Sequence, residues 1–198
     1  MTRPTLREIT SLPASPVSLA ESTLILIDCQ NTYTQGIMEL DGVQAALDET
    51  AALLDRARGA GIPIIHIQHS AGPGSPYDVD GESGAIVASV APRDNEPVVV
   101  KNYPNSFVQT DLQQKLQGVN ATNLVLAGFM THMCVNSTAR GAFNLGYAPT
   151  VVAAATATRT LAGPDGAPVP SAAMQSASLA AMADLFAVVV PTAGDIPD

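Results

Sequence analysis

The chain has no tryptophan and only four Tyr and four Phe in 198 residues, so its core must be built from aliphatic side chains and alanine. Cations are scarce as well: 9 Lys plus Arg face 18 Asp plus Glu, a formal net charge of −9. That balance excludes nucleic acid as a partner, because phosphate binding needs a concentrated basic surface. It disfavours an anionic membrane surface for the same reason. Two cysteines are too few for a disulfide framework. No run approaches the roughly 18 apolar residues of a membrane span. Pro4, Pro13 and Pro16 break up the N-terminal segment, which reads as neither signal peptide nor anchor. The cytoplasm is the expected compartment.

At 46% hydrophobic and 14% charged, the composition is that of a compact globular protein. The length suits one domain over 1–198, with an N-terminal extension over 1–20. Short apolar runs at Thr23–Asp28, Ile62–Gln68, Pro97–Lys101, Asn123–Phe129, Thr150–Ala155 and Phe186–Val190 read as strands buried on both faces. Between the first two, Val43, Ala46, Leu47, Thr50, Leu54 and Ala57 recur at helical spacing, closed by Gly59 and Gly61. Further helical stripes follow around Leu112–Leu116, ended near Gly118, and over Val135–Phe143, ended near Gly146. The last spans Ser171 to Asp184. Strands alternating with helices predict an α/β fold with a mostly parallel sheet covered on both faces. Ser70–Ser83 and Thr158–Pro170 are long Gly- and Pro-rich loops of the kind that bind ligands.

Ligands of such sheets bind outside the carboxyl ends of the strands. Asp28 ends the first run, Lys101 ends the third, and Cys134 opens the helix after the fourth. An acid, a base and a thiol thus meet at one sheet edge. A thiol at a helix N-terminus faces the positive end of the helix dipole, and a nearby ammonium lowers its pKa further, so Cys134 is expected as a thiolate. Asp28 is placed to take and return its proton. The chemistry that fits is acyl transfer to Cys134 followed by thioester hydrolysis. Cys29, inside an apolar run, reads as a small buried hydrophobe.

These residues sit in segments with a family character. Leu26-Ile27-Asp28-Cys29-Gln30-Asn31, Val99-Val100-Lys101 with Ser106-Phe107, and Gly128-Phe129-Met130-Thr131-His132-Met133-Cys134-Val135-Asn136-Ser137-Thr138-Ala139-Arg140 resemble the isochorismatase-like cysteine hydrolases. The resemblance runs from about Leu24 to Val190. It implies a Rossmann-like three-layer α/β/α sandwich with a six-stranded sheet, and an Asp–Lys–Cys triad of Asp28, Lys101 and Cys134. It also implies a non-proline cis peptide between Phe129 and Met130, aiming the Met130 and Cys134 amides at an oxyanion. A small-molecule substrate and a homo-oligomer, dimer or tetramer, are implied as well.

The cysteine separates branches of that family, since isochorismatases proper cleave a vinyl ether without such a nucleophile. Cys134 therefore favours hydrolysis of an amide, carbamoyl or lactam C–N bond. The nicotinamidase-like branch binds a metal through an Asp-x-His pair. None follows Ile67 here, so no metal and no cofactor are expected. Where the family often ends its fifth strand on an acid, this chain has Ala153-Ala154-Ala155.

Secondary candidates for substrate contact are Gln30, beside Asp28; His69, near a strand end; Glu82, in the 70–83 loop; and Tyr103 and Phe107, just past Lys101. Each also has an ordinary structural or solvated role open to it. His66 and His69 fall on opposite strand faces and so do not share a metal. His132, two residues before Cys134, invites a Cys–His dyad, but Asp28 and Lys101 already account for activation. The sequence thus points to a metal-free cysteine amidohydrolase. Vinyl-ether hydrolysis and a non-catalytic small-molecule-binding protein on the same fold are the alternatives.

Overall fold

The computed structural model describes residues 3–198. In chain order its elements are α1 (Leu6–Ile9), β1 (Ser22–Ile27), α2 (Val43–Ala60), β2 (Ile64–His69), β3 (Val98–Lys101), α3 (Leu112–Gly118), β4 (Asn123–Phe129), α4 (Asn136–Asn144), β5 (Ala148–Ala157), β6 (Leu161–Ala162), β7 (Pro168–Val169), α5 (Ser171–Ala183) and β8 (Val188–Val190). Six strands form one sheet in the order β3-β2-β1-β4-β5-β8, and every pairing in it is parallel. The chain therefore winds outward from β1 in both directions, and β1 and β4 flank the switch point where ligands of such sheets bind.

The two faces are filled by simple alternation along the strands. Leu24 and Leu26 of β1, with Val125 and Ala127 of β4, pack against Leu47, Leu53 and Leu54 of α2. Ile25 and Ile27, with Leu124 and Leu126, pack on the other side against Leu116 of α3, Val135, Ala139 and Ala142 around α4, and Met182 of α5. Each such aliphatic side chain contributes roughly 1.5–3 kcal/mol by leaving water. Without tryptophan, many small interlocking side chains carry the core.

The strands depart from the sequence expectation mainly at their ends. β5 runs on to Ala157 rather than stopping at Ala155, and β8 is shorter than the apolar run that contains it. β3 is an edge strand, so Val98 and Val100 face outward and are 38% and 49% exposed rather than buried on both faces. Gly59 lies inside α2, while Gly61 alone ends it, taking the left-handed conformation (φ 67°) and donating its N–H back to the carbonyls of Ala57 and Arg58. In the N-terminal segment, Thr5 and Glu8 cap α1 reciprocally, and Arg7 fastens it by donating to the carbonyls of Pro13 and Leu185. Among the described residues, no helix is long and apolar enough to cross a membrane.

Candidate active site

Asp28 follows the last residue of β1, and its backbone takes a left-handed conformation (φ 50°) that aspartate tolerates better than most residues. The turn is held by Asp28 N–H donating to Ile67 O at 3.0 Å and by Gln30 N–H donating to Asp28 O at 2.8 Å. On the neighbouring strand Gly128 has φ 114°, and a Cβ there would drive into the backbone of Ile27. Only glycine lets β4 come this close to β1 at the level of Asp28. The Phe129–Met130 peptide beyond it is cis, at the position that the family resemblance implies.

Cys134 does not open α4 directly. It lies in a five-residue π-helical turn, Thr131–Val135, that precedes α4. Such turns recur at functional sites because they displace side chains from regular helical register. Lys101, the last residue of β3, reaches in from the other side. Its ammonium is 2.7 Å from Asp28 Oδ2 and donates to Cys134 Sγ at 3.4 Å. It also lies 3.2 Å from His69 Nδ1. One cation thus connects the carboxylate, the thiol and an imidazole. Asp28, Lys101 and Cys134 are 0%, 1% and 5% exposed.

The carboxylate is short of partners. Asp28 meets Lys101 as an ion pair, but neither of its oxygens has a well-directed hydrogen bond among the described residues. Burial pushes its carboxyl above the ordinary carboxylate range, with Lys101 opposing. The thiol is not the thiolate that helix position and a neighbouring lysine suggest. Burial and the Asp28 charge together push Cys134 up to about 12, outweighing Lys101, so the resting thiol is protonated at neutral pH. Cys29, 2% exposed, is pushed up further by burial.

His69 is gathered into this cluster. Burial, followed by Lys101, lowers its pKa, so the neutral ring accepts from the lysine at Nδ1. Gln30 is fully buried, and its amide is taken up by backbone: it donates to His69 O and Gly84 O and accepts from His69 N–H. It thereby ties the 84–86 segment to the end of β2. Glu82 is exposed, and its carbonyl rather than its carboxylate is engaged, accepting from Asn31. Tyr103 is 44% exposed, and Phe107 stacks on Tyr147 with ring centroids 5.9 Å apart. His132 turns toward β5, with Nδ1 2.6 Å from Thr158 Oγ1. Ala154, where the family often has an acid, is exposed and borders a cavity of about 540 Å³ that does not include the triad.

Three residues near the cluster had drawn no attention in the sequence. Tyr77, from the 70–83 loop, meets His69 edge-on at 4.9 Å and Tyr33 at 5.9 Å. Tyr33 in turn packs edge-on against Phe129. Arg159 follows the end of β5. None has a periodic or spacing signal. A scarce aromatic inside a Gly/Pro-rich loop was the one available hint, and it applies to Tyr77 alone. Among the described residues, no group of three or more His, Cys, Asp or Glu side chains could hold a metal ion.

An open parallel sheet covered by helices on both faces, with a buried Asp–Lys–Cys cluster outside its strand ends, defines a Rossmann-like α/β sandwich with a candidate active site. The isochorismatase domain family matches residues 22–194, and the chain belongs to that family. An isochorismatase from Pseudomonas putida KT2440, solved as a crystal structure, is 38% identical, with a TM-score of 0.94, covering 98% of this chain and 99% of that one. The secreted isochorismatase effector Isc1 of Verticillium dahliae is 33% identical over 185 residues, covering 93% of this chain and 95% of that protein. Ureidoacrylate amidohydrolase RutB of Stutzerimonas stutzeri is 30% identical over 189 residues, covering 75% and 76%.

Proposed function

We propose that the protein is a cysteine amidohydrolase that cleaves a C–N bond of a small amide, carbamoyl compound or lactam through a thioester on Cys134. The observation that carries this is the single buried lysine bridging Asp28 and Cys134, at 2.7 and 3.4 Å. A carboxylate raised by burial is a stronger base than an exposed one, and it faces a thiol that needs one.

Asp28 accepts the Cys134 proton while Sγ attacks the carbonyl carbon, and the carbonyl oxygen becomes an oxyanion held by the Met130 and Cys134 amides. Lys101 offsets the negative charge that moves between sulfur and carboxylate. Protonated Asp28 gives its proton to the departing nitrogen, the C–N bond breaks, and ammonia or an amine leaves. Water, deprotonated by Asp28, then attacks the thioester, and the proton returns to sulfur. His69 fixes the lysine through Nδ1, and Tyr33 and Tyr77 wall the site.

The amidohydrolase relative supports C–N chemistry, whereas the two relatives called isochorismatases keep vinyl-ether hydrolysis as the second reading. Ammonia release from a panel of small amides, ureas and lactams, coupled to intact-protein mass spectrometry, separates them. An acyl adduct on Cys134 and no turnover by Cys134→Ala is the expected result. Undiminished ammonia release by Cys134→Ala would sink the thioester, and no ammonia from any member of the panel would leave the ether. Two free thiols suit a reducing compartment, so cytoplasmic residence belongs to the same proposal, and assembly into a dimer or tetramer joins it on the family resemblance alone.

A further inference from the structure

Although cations are scarce in this acidic chain, three of its nine Lys and Arg side chains line one cavity of about 380 Å³. The cavity lies at the amino ends of β2 and β3. Arg58, Arg93 and Lys115 border it, and Ile62, Pro63 and Val119 give it an apolar wall. The Asp28–Lys101–Cys134 cluster lies at the carboxyl ends of the same strands. From Ile64 to His69 the backbone of β2 rises roughly 16 Å, at about 3.3 Å per residue. The cavity and the cluster share no side chain.

How the three cations are held decides what they can still bind. Arg58 is pinned: Nε and Nη2 each donate to Glu96 at 2.8 Å, and Nη2 donates to Ala91 O at 2.8 Å. Its Nη1 has no partner among the described residues and is not closed off from solvent. Glu96 is the one acid among the described residues of the lining, and its charge is already matched by Arg58, the Arg93 N–H and His66. Arg93 is exposed and held by that backbone N–H, while its guanidinium has no acceptor among the described residues. Lys115 meets Asp111 at 2.9 Å, with the two side chains 32% and 51% exposed. Such i,i+4 surface pairs contribute little and open readily. One fixed guanidinium with a spare donor, one uncommitted guanidinium and one releasable ammonium thus border the same space.

We propose that this cavity is a second binding site, separate from the reaction centre, and that it takes a phosphate monoester whose apolar body packs on Ile62, Pro63 and Val119. A tetrahedral dianion accepts hydrogen bonds from several directions at once, which suits two guanidinium groups and an ammonium set around it. Because Glu96 holds Arg58 in advance, that side chain loses little freedom when a ligand arrives. The apolar wall adds affinity in proportion to the area that leaves water. The site stands independently of the C–N chemistry assigned to Cys134.

The probe is phenyl phosphate, titrated calorimetrically into the wild-type protein at pH 8, where its phosphoryl group is doubly charged. Inorganic phosphate and phenol serve as its two halves. Phenyl phosphate is expected to bind at least about tenfold more tightly than either half. Arg93→Gln and Lys115→Gln should each weaken it about five- to tenfold, and the double variant about thirtyfold or more. Arg93→Lys should keep part of the affinity, and melting curves confirm that the variants fold. No measurable binding of phenyl phosphate, or equal binding of either half, overturns the proposal. Undiminished affinity in the double variant overturns it as well, because the anion would then sit elsewhere on the protein.

Discussion

Two buried charge clusters lie along the β2–β3 pair, and they are built in opposite ways. At the start of β3, Glu96 accepts from Arg58 Nε and Nη2, both at 2.8 Å, and from Arg93 N–H at 2.9 Å, and it meets His66 Nε2 at 3.0 Å. At the end of β3, Asp28 is served only by Lys101, 2.7 Å away, and the Cys134 thiol, and neither gives its oxygens a well-directed hydrogen bond. Both carboxylates are out of water. Yet the Arg58 hydrogen bonds hold Glu96 down to about 2, whereas burial drives Asp28 up. Several well-directed hydrogen bonds lock a charge in place as structure, whereas desolvation with few partners leaves a base that can accept a proton.

The sharpest break between the clusters is in turnover. Cys134→Ala should lower it by at least about 10³-fold, with little change in melting temperature. Glu96→Gln, assayed as folded protein, should leave turnover within about threefold. Equal losses in the two variants would mean that the chemistry does not belong to the β3 end.

Stability comes next. Lys101→Met strands the buried Asp28 carboxylate and should cost about 3–5 kcal/mol in urea unfolding at neutral pH. Adding Asp28→Asn should recover most of that loss, because the pair as a whole contributes less than either member left alone. A double variant as unstable as the single one would show that the pair stabilises the fold as Glu96 and Arg58 do.

The pH response of the Glu96 cluster follows from the direction of its shift. Glu96 lies below its ordinary value of 4.5, so its contribution is complete above that value and drains away as pH falls toward 2. The shift corresponds to about 3 kcal/mol, which Glu96→Gln should remove at pH 7 and progressively less toward pH 2. His66, lowered first by burial, adds a loss of the same sign below 6.5. Asp28 is raised, so acid relieves it instead. Unfolding free energies across that pH range check both signs.

The smallest effect compares the two thiols. Cys29 makes only a weak contact, Sγ to Ile27 O at 3.9 Å. Cys29→Ala should cost about 1 kcal/mol and leave turnover unchanged, so a large activity loss there would undo the division of roles between the cysteines.

Much of the fold was readable because each element carries its own period. Strand alternation on β1 and β4 and the Val43–Ala57 stripe needed no distant information. Strand ends were less legible: β5 continues past Ala155 because Gly128 and Phe129 on β4 give Thr156 and Ala157 pairing partners, and that pairing is not local. The contrast between Asp28 and Glu96 was not legible at all. Both are single acids beside apolar runs, and only the folded chain supplies one with Arg58, His66 and Arg93 and leaves the other, fully buried, to Lys101 and the Cys134 thiol.

The sequence by itself determined which residue types end the strands, where the helices lie and that one cysteine stands in a polar turn. Spacing along a chain conveys that much, because strand and helix periods are local. Tertiary structure alone decided that Cys134 rests as a thiol and that His69 braces Lys101. Both the thiol and the His69–Lys101 contact depend on burial and on neighbours brought from distant segments, and desolvation is a property of the folded surroundings rather than of the residue.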